Sequence, residues 1–321
     1  MTILPPTAAN IERARAQLNA GGLVAMPTET VYGLAARAVD SDAIAAIYAT
    51  KQRPQFNPLI CHVADLAMAQ AHGVFNPTAQ KLAQHFWPGA LTLVVPRRAD
   101  TPICTLVSAG LDTLALRMPS HEVAQQLIAA CDSPLAAPSA NPSGRLSPTR
   151  ADHVAAMLPE IDVLEGGACE IGLESTIIGC FDTAPLLLRE GGIARHDIEA
   201  VLGEKLQELP EHGEATAKRA PGRLARHYAP RAGLRLNQSA EAAQRDDCLL
   251  IGFGADAPDT VAANLSPTGD LAEAASQLFN VLHRLDDQAM RQGQSLAIMP
   301  IPEQGLGAAI NDRLRRAAEP A

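Results

Sequence analysis

Lys51-Gln52-Arg53-Pro54 sets two cations two residues apart, just past a stretch whose apolar residues recur at helical spacing. Cations at a helix C-terminus suit the macrodipole, so a solvated pair is one reading. Pro54 also biases Arg53 toward extended backbone, where residues two apart project to the same side, and a clamp for a polyphosphate is the other reading. Spacing alone leaves both open. Asn57-Pro58-Leu59-Ile60-Cys61-His62 then returns into a strand that brings His62 near the same edge, although a lone histidine is more commonly a satisfied core residue. Pro138-Ser139-Ala140-Asn141-Pro142 offers two hydrogen-bonding side chains after a short apolar strand. Its prolines restrict Ala137 and Asn141 to extended geometry, which would serve a rigid turn as well as a ligand. The chain contains neither a G-x-x-x-x-G-K-[ST] loop nor a G-x-S-x-G elbow, which disfavours a P-loop ATPase and a serine hydrolase.

These residues need strands and helices to hold them. Residues 23–26 read as an apolar strand that ends in the polar turn Pro27-Thr28-Glu29-Thr30. Ser41 is placed to cap the next helix, with Ile44, Ile47 and Tyr48 on one face. Helices are expected over 10–20 (Ile11, Ala14 and Leu18 inward), 78–86 and 120–131, the last capped by Ser120. Strands are expected over 91–95, 114–118 and 134–138, and 175–181 with 186–189 reads as a hairpin. Alternating strands and helices with a hairpin give an α/β fold with a twisted mixed sheet, and ligands are expected at its strand ends. Residues 206–235 change to Gly, Pro and charge and read as a linker. Beyond it, strands over 248–253 and 296–301 with helices over 270–291 and 307–318 make a smaller Rossmann-like domain. Gly252-Phe253-Gly254-Ala255-Asp256-Ala257 matches G-x-G-x-x-A, but Pro258 interrupts any immediate helix, so a strand-ending turn is expected.

The length of 321 residues suits two domains, divided as 1–205 and 236–321 around the linker. The net charge is -9, and only the linker is basic, at +3 against -6 on each side. That distribution does not resemble an extended nucleic-acid-binding surface. The six cysteines have no C-x-x-C pair, so reduced thiols are expected rather than zinc or disulfides. No apolar run reaches membrane-spanning length and the N-terminus lacks a basic signal region, so a cytoplasmic protein is expected.

Taken together, PTET-VYGL from Pro27, K-x-R-P, Asn57-Pro58-Leu59 and His62 resemble the L-threonylcarbamoyladenylate synthase family, the YrdC-like proteins. The resemblance runs on through Pro138 to Gly144, Glu174-Ser175-Thr176-Ile177-Ile178, Arg226-His227-Tyr228-Ala229-Pro230 and Ala309-Ile310-Asn311-Asp312-Arg313-Leu314, matching the longer two-domain form. It implies synthesis of threonylcarbamoyl-adenylate from L-threonine, bicarbonate and ATP with release of pyrophosphate. The product would pass to a transferase complex that modifies adenosine beside the tRNA anticodon. It assigns Lys51 and Arg53 to the triphosphate, as the catalytic cations. Asn57, Thr113, Ser139, Asn141, Ser147, Arg189 and Tyr228 would complete the ATP pocket. Thr30, His62, Arg117, Ala137 and Ser175 would hold threonine, with Arg117 on its carboxylate. Mg²⁺ would arrive on ATP, since the sequence shows no acidic cluster to hold a metal. The linker would cross the nucleotide site, although Arg223-Leu224-Ala225 replaces the family's usual Met-Lys-Tyr. An RNA-binding module of YrdC-like fold is the alternative. A carbamoyl-transfer domain of the hydrogenase-maturation type would bring zinc fingers, which these cysteine spacings do not allow.

Overall fold

The structure is a computed structural model and describes residues 2–181, 184–208 and 227–319. In its first part the chain runs β1 (Ile3–Leu4), α1 (Ala8–Asn19), β2 (Val24–Met26), β3 (Gly33–Arg37), α2 (Ser41–Lys51), β4 (Ile60–His62), α3 (Leu66–His72) and α4 (Pro77–Phe86). It continues through β5 (Leu91–Pro96), β6 (Thr113–Arg117), α5 (Glu122–Cys131), β7 (Leu135–Ala136), α6 (Ala151–Met157), β8 (Asp162–Leu164), β9 (Thr176–Gly179), β10 (Leu186–Arg189), α7 (Arg195–Leu202) and β11 (Gln207–Glu208). These strands form one mixed sheet in the order β1-β8-β2-β3-β7-β4-β6-β5-β9-β10-β11. The expected hairpin is present as antiparallel β9 and β10, and residues 182 and 183 of its turn lie outside the described residues.

Local chemistry explains most helix starts. Thr7 caps α1, and Ile11, Ala14 and Leu18 are buried as their spacing requires. Two expected caps are corrected. Asp40, not Ser41, caps α2, because its Oδ1 accepts from the amides of both Asp42 and Ala43. His121, not Ser120, caps α5 through Nδ1.

The two faces of the sheet are covered differently. Ile44, Ile47 and Tyr48 of α2 and Leu82 of α4 pack with Cys61, Leu93 and Leu116 on one face. On the other face α1 and α5 cover only the half around β2, β3, β7 and β8, with Leu18, Leu127 and Ile128 against Met26, Ala35 and Leu135. The remaining half carries the small cluster Ile60, Val94, Ala115, Ile177 and Leu188. Ile60 of this cluster lines the site described below.

The second part contains β12 (Leu234–Arg235), α8 (Ala240–Arg245), β13 (Cys248–Gly252), β14 (Ala263–Asn264), α9 (Leu271–Gln292), β15 (Ser295–Ile298) and α10 (Leu306–Ala318). Its sheet, β12-β15-β13-β14, is parallel throughout, as a Rossmann-like unit requires. Because β12 belongs to this sheet, the expected linker of 206–235 already ends inside the second unit. Gly252 ends β13 in a turn so tight that a Cβ there would lie 2.7 Å from the Ala257 methyl carbon. The two units share a core: Leu146 and Leu173 pack with Tyr228, Leu278 and Phe279.

Gly191 lies against the strand entry that carries the site. A Cβ there would stand 2.4 Å from the Glu174 carbonyl oxygen and the Thr176 amide nitrogen, backbone atoms that cannot turn aside. Gly191→Ala is expected to destabilise the fold by about 1–3 kcal/mol, read as a lower urea midpoint. An unchanged midpoint would show that this contact is slack.

Candidate active site

The polar turn after β2 builds one wall. A hydroxyl has one hydrogen, and Thr28 donates its own to the Val31 carbonyl at 2.7 Å while accepting from the amides of Thr30 and Val31. The Thr30 hydroxyl therefore donates to Thr28 Oγ1, 2.8 Å away, and accepts from Arg117 Nη1 at 2.8 Å. Arg117, at the end of β6, gives Nη2 to Glu29 Oε1 at 2.6 Å and Nε to the Gly89 carbonyl at 3.2 Å. Both partners of this ion pair are 4% exposed, so the charges neutralise each other where water cannot. Removing either alone would strand the other. The Ser120 amide donates to the second Glu29 oxygen, which fixes the carboxylate plane.

His62 lies beside Arg117 in the β4–β6 register, and Ile60, two residues earlier, shares its face. Ala137 follows β7 level with Ile60, donating its amide to the Ile60 carbonyl. Ser175 precedes β9; its hydroxyl lies 2.7 Å from Thr92 Oγ1 and accepts from Arg189 Nη2 at 3.2 Å. Arg189 also donates Nε and Nη2 to the Ser175 carbonyl. Tyr228 and His227 close the opposite side. Tyr228 holds φ at +63°, a conformation that costs a non-glycine residue about 1–2 kcal/mol, and its ring packs 5.7 Å from that of Phe279.

One cavity collects Thr30, Arg53, His62, Arg117, Ala137, Ser139, Ser175, Arg189 and Tyr228. Thr28, Glu174 and His227 also line it, though no role was expected of them. Glu29 stands behind Arg117. Both glutamates lie inside motifs read from the sequence, and the signal missed was electrostatic: buried arginines call for nearby carboxylates. His62 and Arg117 end β4 and β6, Ala137 follows β7 and Ser175 precedes β9, so the cavity lies at strand ends, where ligands were expected.

Other expected residues stand back from the cavity. Gln52 takes φ +50° and caps α2, so Lys51 and Arg53 do not alternate along an extended strand, and the side-by-side clamp does not form. Lys51 turns inward instead, its Nζ donating to the carbonyls of Ser139 and Asn141. Arg53 donates to the carbonyls of Asn57 and Pro58, so Asn57 presents backbone to it. Asn141 is fully buried and donates Nδ2 to the Pro142 and Arg145 carbonyls. The Ser147 hydroxyl donates to Glu174 Oε1 at 2.5 Å. Thr113 begins β6, four residues from Arg117, paired with Pro96 outside the cavity. Arg223, Leu224, Ala225 and Arg226 lie outside the described residues.

Burial of so many cations sets the electrostatics. Desolvation, with repulsion from Arg53, pushes the Lys51 ammonium well below its ordinary pKa. Arg53 falls to about 10 through burial and stays charged at neutral pH. Burial also lowers His62 to about 3, helped by Arg117. His227 falls to about 3 for the same reason, with Arg53, Lys51 and Arg189 adding repulsion against the opposing pull of Glu174. Both imidazoles are neutral. Burial would raise the Glu174 carboxyl, but Arg313 and Arg189 hold it below the usual range.

Fold and site together define an α/β protein with a cavity lined by buried arginines and hydroxyls, and with a second, parallel-sheet unit that shares a core with the first. Residues 16–191 match the Sua5/YciO/YrdC family, described as "Telomere recombination", and residues 193–319 match the threonylcarbamoyl-AMP synthase C-terminal domain. The chain is 39% identical over 342 residues to threonylcarbamoyl-AMP synthase of Pyrococcus abyssi, covering 99% of this chain and 98% of that one. Its similarity to the Bacillus subtilis threonylcarbamoyl-AMP synthase is 37% over 329 residues, or 96% and 92% of the two chains. The crystal structure of P. abyssi Sua5 complexed with L-threonine superposes with a TM-score of 0.88 at 36% identity, over 99% of this chain and 98% of that one. The chain belongs to the threonylcarbamoyl-AMP synthase family, in its two-domain form.

The buried imidazoles give a pH test. Unfolded, each titrates near 6.5; folded, near 3, so between those values the unfolded chain binds more protons. Stability is therefore full above 6.5 and falls as pH drops through that window. Urea midpoints should be lower at about pH 5.5 than at about pH 7.5, and His62→Asn should flatten that slope. Equal wild-type midpoints would contradict neutral burial.

Proposed function

We propose that this cavity aligns L-threonine, bicarbonate and ATP for synthesis of threonylcarbamoyl-AMP, with the residues in the following roles. The observation that carries the reading is the meeting of Arg53, Arg117 and Arg189 with the hydroxyls of Thr30, Ser139 and Ser175 in one cavity. Such a wall suits a ligand rich in anionic oxygen. Ser175 is bonded to Thr92 and Arg189, neither of which is a base, so it is not an activated nucleophile.

Threonine would place its carboxylate on Arg117 and Thr30, with His62, Ala137 and Ser175 around the rest of the amino acid. Its free amine takes up bicarbonate with loss of water to give the carbamate. A carbamate oxygen then attacks the α-phosphorus as the bond to pyrophosphate breaks. Arg53 and Arg189 would offset the charge that develops on the leaving group, and Tyr228 would stack on or cover the nucleotide. Lys51 would act through the carbonyls of Ser139 and Asn141, holding their turn against the phosphates. The same turn rests on Asn141, while Ser147 orients Glu174.

Among the described residues no group of three or more His, Cys, Asp or Glu side chains could hold a metal ion. Glu174 is already engaged by Arg313 and Ser147. Mg²⁺ in this reading enters on the triphosphate. The labile mixed anhydride must then reach a transferase that carries it to tRNA adenosine. No described helix is long and apolar enough to cross a membrane. A cytoplasmic location fits that tRNA-directed role. The basic stretch on which an RNA-binding alternative would rest lies largely at 209–226, outside the described residues.

Pyrophosphate release from ATP should require threonine and bicarbonate together, and equal release with either omitted would overturn the proposal. Arg117→Ala should raise the KM for threonine about 100-fold, the scale for truncating one partner of a buried charge pair. Unchanged threonine dependence would remove its assigned role.

A further inference from the structure

Glu174 poses a problem for a cavity that takes anions. It is 7% exposed and lines the space proposed for the nucleotide, where an uncompensated carboxylate would repel every phosphate. One of its oxygens accepts from Ser147, which supplies a hydrogen bond but no charge. The other accepts from Arg313 Nε at 2.8 Å, and Arg313 belongs to α10 of the C-terminal unit.

Arg313 is 1% exposed and is the largest fully buried side chain of the described chain. Its guanidinium carbon stands 5.3 Å from the centroid of the Tyr228 ring, within cation–π reach. Nη1 donates to Asp312 Oδ2, but Asp312 is also bonded by Arg316, so its charge is shared. Nη2 is buried and has no hydrogen-bond partner among the described residues. A buried arginine that leaves one nitrogen unused is not optimised for stability alone.

We infer that Arg313 is a positioning residue for the nucleotide pocket: supplied by the C-terminal unit, it neutralises Glu174 and steadies Tyr228, so that the cavity accepts a triphosphate. This role rests on the proposed nucleotide site. It gives the second domain a chemical task, because without α10 the catalytic unit would present its anionic substrate with a carboxylate that has lost its direct ion-pair partner and keeps only Arg189 nearby and the Ser147 hydrogen bond.

The test is pyrophosphate-release kinetics of the full chain for wild type, Arg313→Met, Glu174→Gln and the double variant. Arg313→Met is expected to raise the KM for ATP at least about tenfold, more than it lowers kcat. In the Glu174→Gln background the same substitution should change that KM less than about threefold, because no carboxylate charge remains to neutralise. Arg313→Lys, which keeps the charge, should recover most of the affinity. Arg313→Gln carries the same comparison should Arg313→Met fail to fold. Equal KM effects in both backgrounds, or no effect on ATP at all, would overturn the inference. Wild-type turnover that ignores threonine or bicarbonate would instead overturn the proposed function, so the two failures are distinguishable.

Discussion

Positive charge held out of water is the constraint around which this molecule is arranged. Lys51, Arg53, Arg117, Arg189 and Arg313 are each 8% exposed or less and converge on one region. Burying an unpaired cation costs several kcal/mol, and burying several together adds repulsion. The structure meets this in two ways. Arg117 pairs with Glu29, and Arg313 pairs with Glu174 and Asp312. Lys51 and Arg53 are held by backbone carbonyls, which carry partial charge only. Positive potential is thereby left in the cavity, available to an anionic ligand.

Much of the surrounding architecture serves this arrangement. Ile60, buried in the small cluster on the half of the sheet that α1 and α5 leave uncovered, lines the cavity together with Val31 and Leu59, and such apolar lining strengthens the charge interactions beside it. The prolines at 138 and 142 stiffen the turn whose carbonyls receive Lys51. Gly191 lets the chain pass against the Glu174–Thr176 backbone, close enough for Gly192 to donate to the Glu174 carbonyl. Tyr228, just before the second unit's first strand, lines the cavity and packs into the core that the two units share.

The fold class was legible in sequence because periodicity is local. Alternating apolar runs bounded by Pro, Gly and Asn gave the α1, α4, α9 and α10 helices and the β5, β6, β9 and β10 strands within a few residues. Two-residue pairings such as β1, β11 and β14 were not legible, since so short a strand exists only through its neighbour. The caps went astray by one residue at Asp40 and His121, where adjacent polar residues compete and only backbone angles choose between them.

The sequence by itself determined which side chains would be present and which motifs would bracket them: the threonine turn, the K-x-R-P, the Ser-Ala-Asn loop and the distant Asn-Asp-Arg. Tertiary structure decided what each one faces. A left-handed Gln52 sent Lys51 away from Arg53, the length of β6 put Thr113 at the end of the strand remote from the cavity that Arg117 lines, and a helix from the far end of the chain brought Arg313 to Glu174. The physical reason is range. Helix and strand propensity act over a few residues, whereas a buried charge is satisfied by whatever the packed chain places within about 3 Å, however distant in sequence.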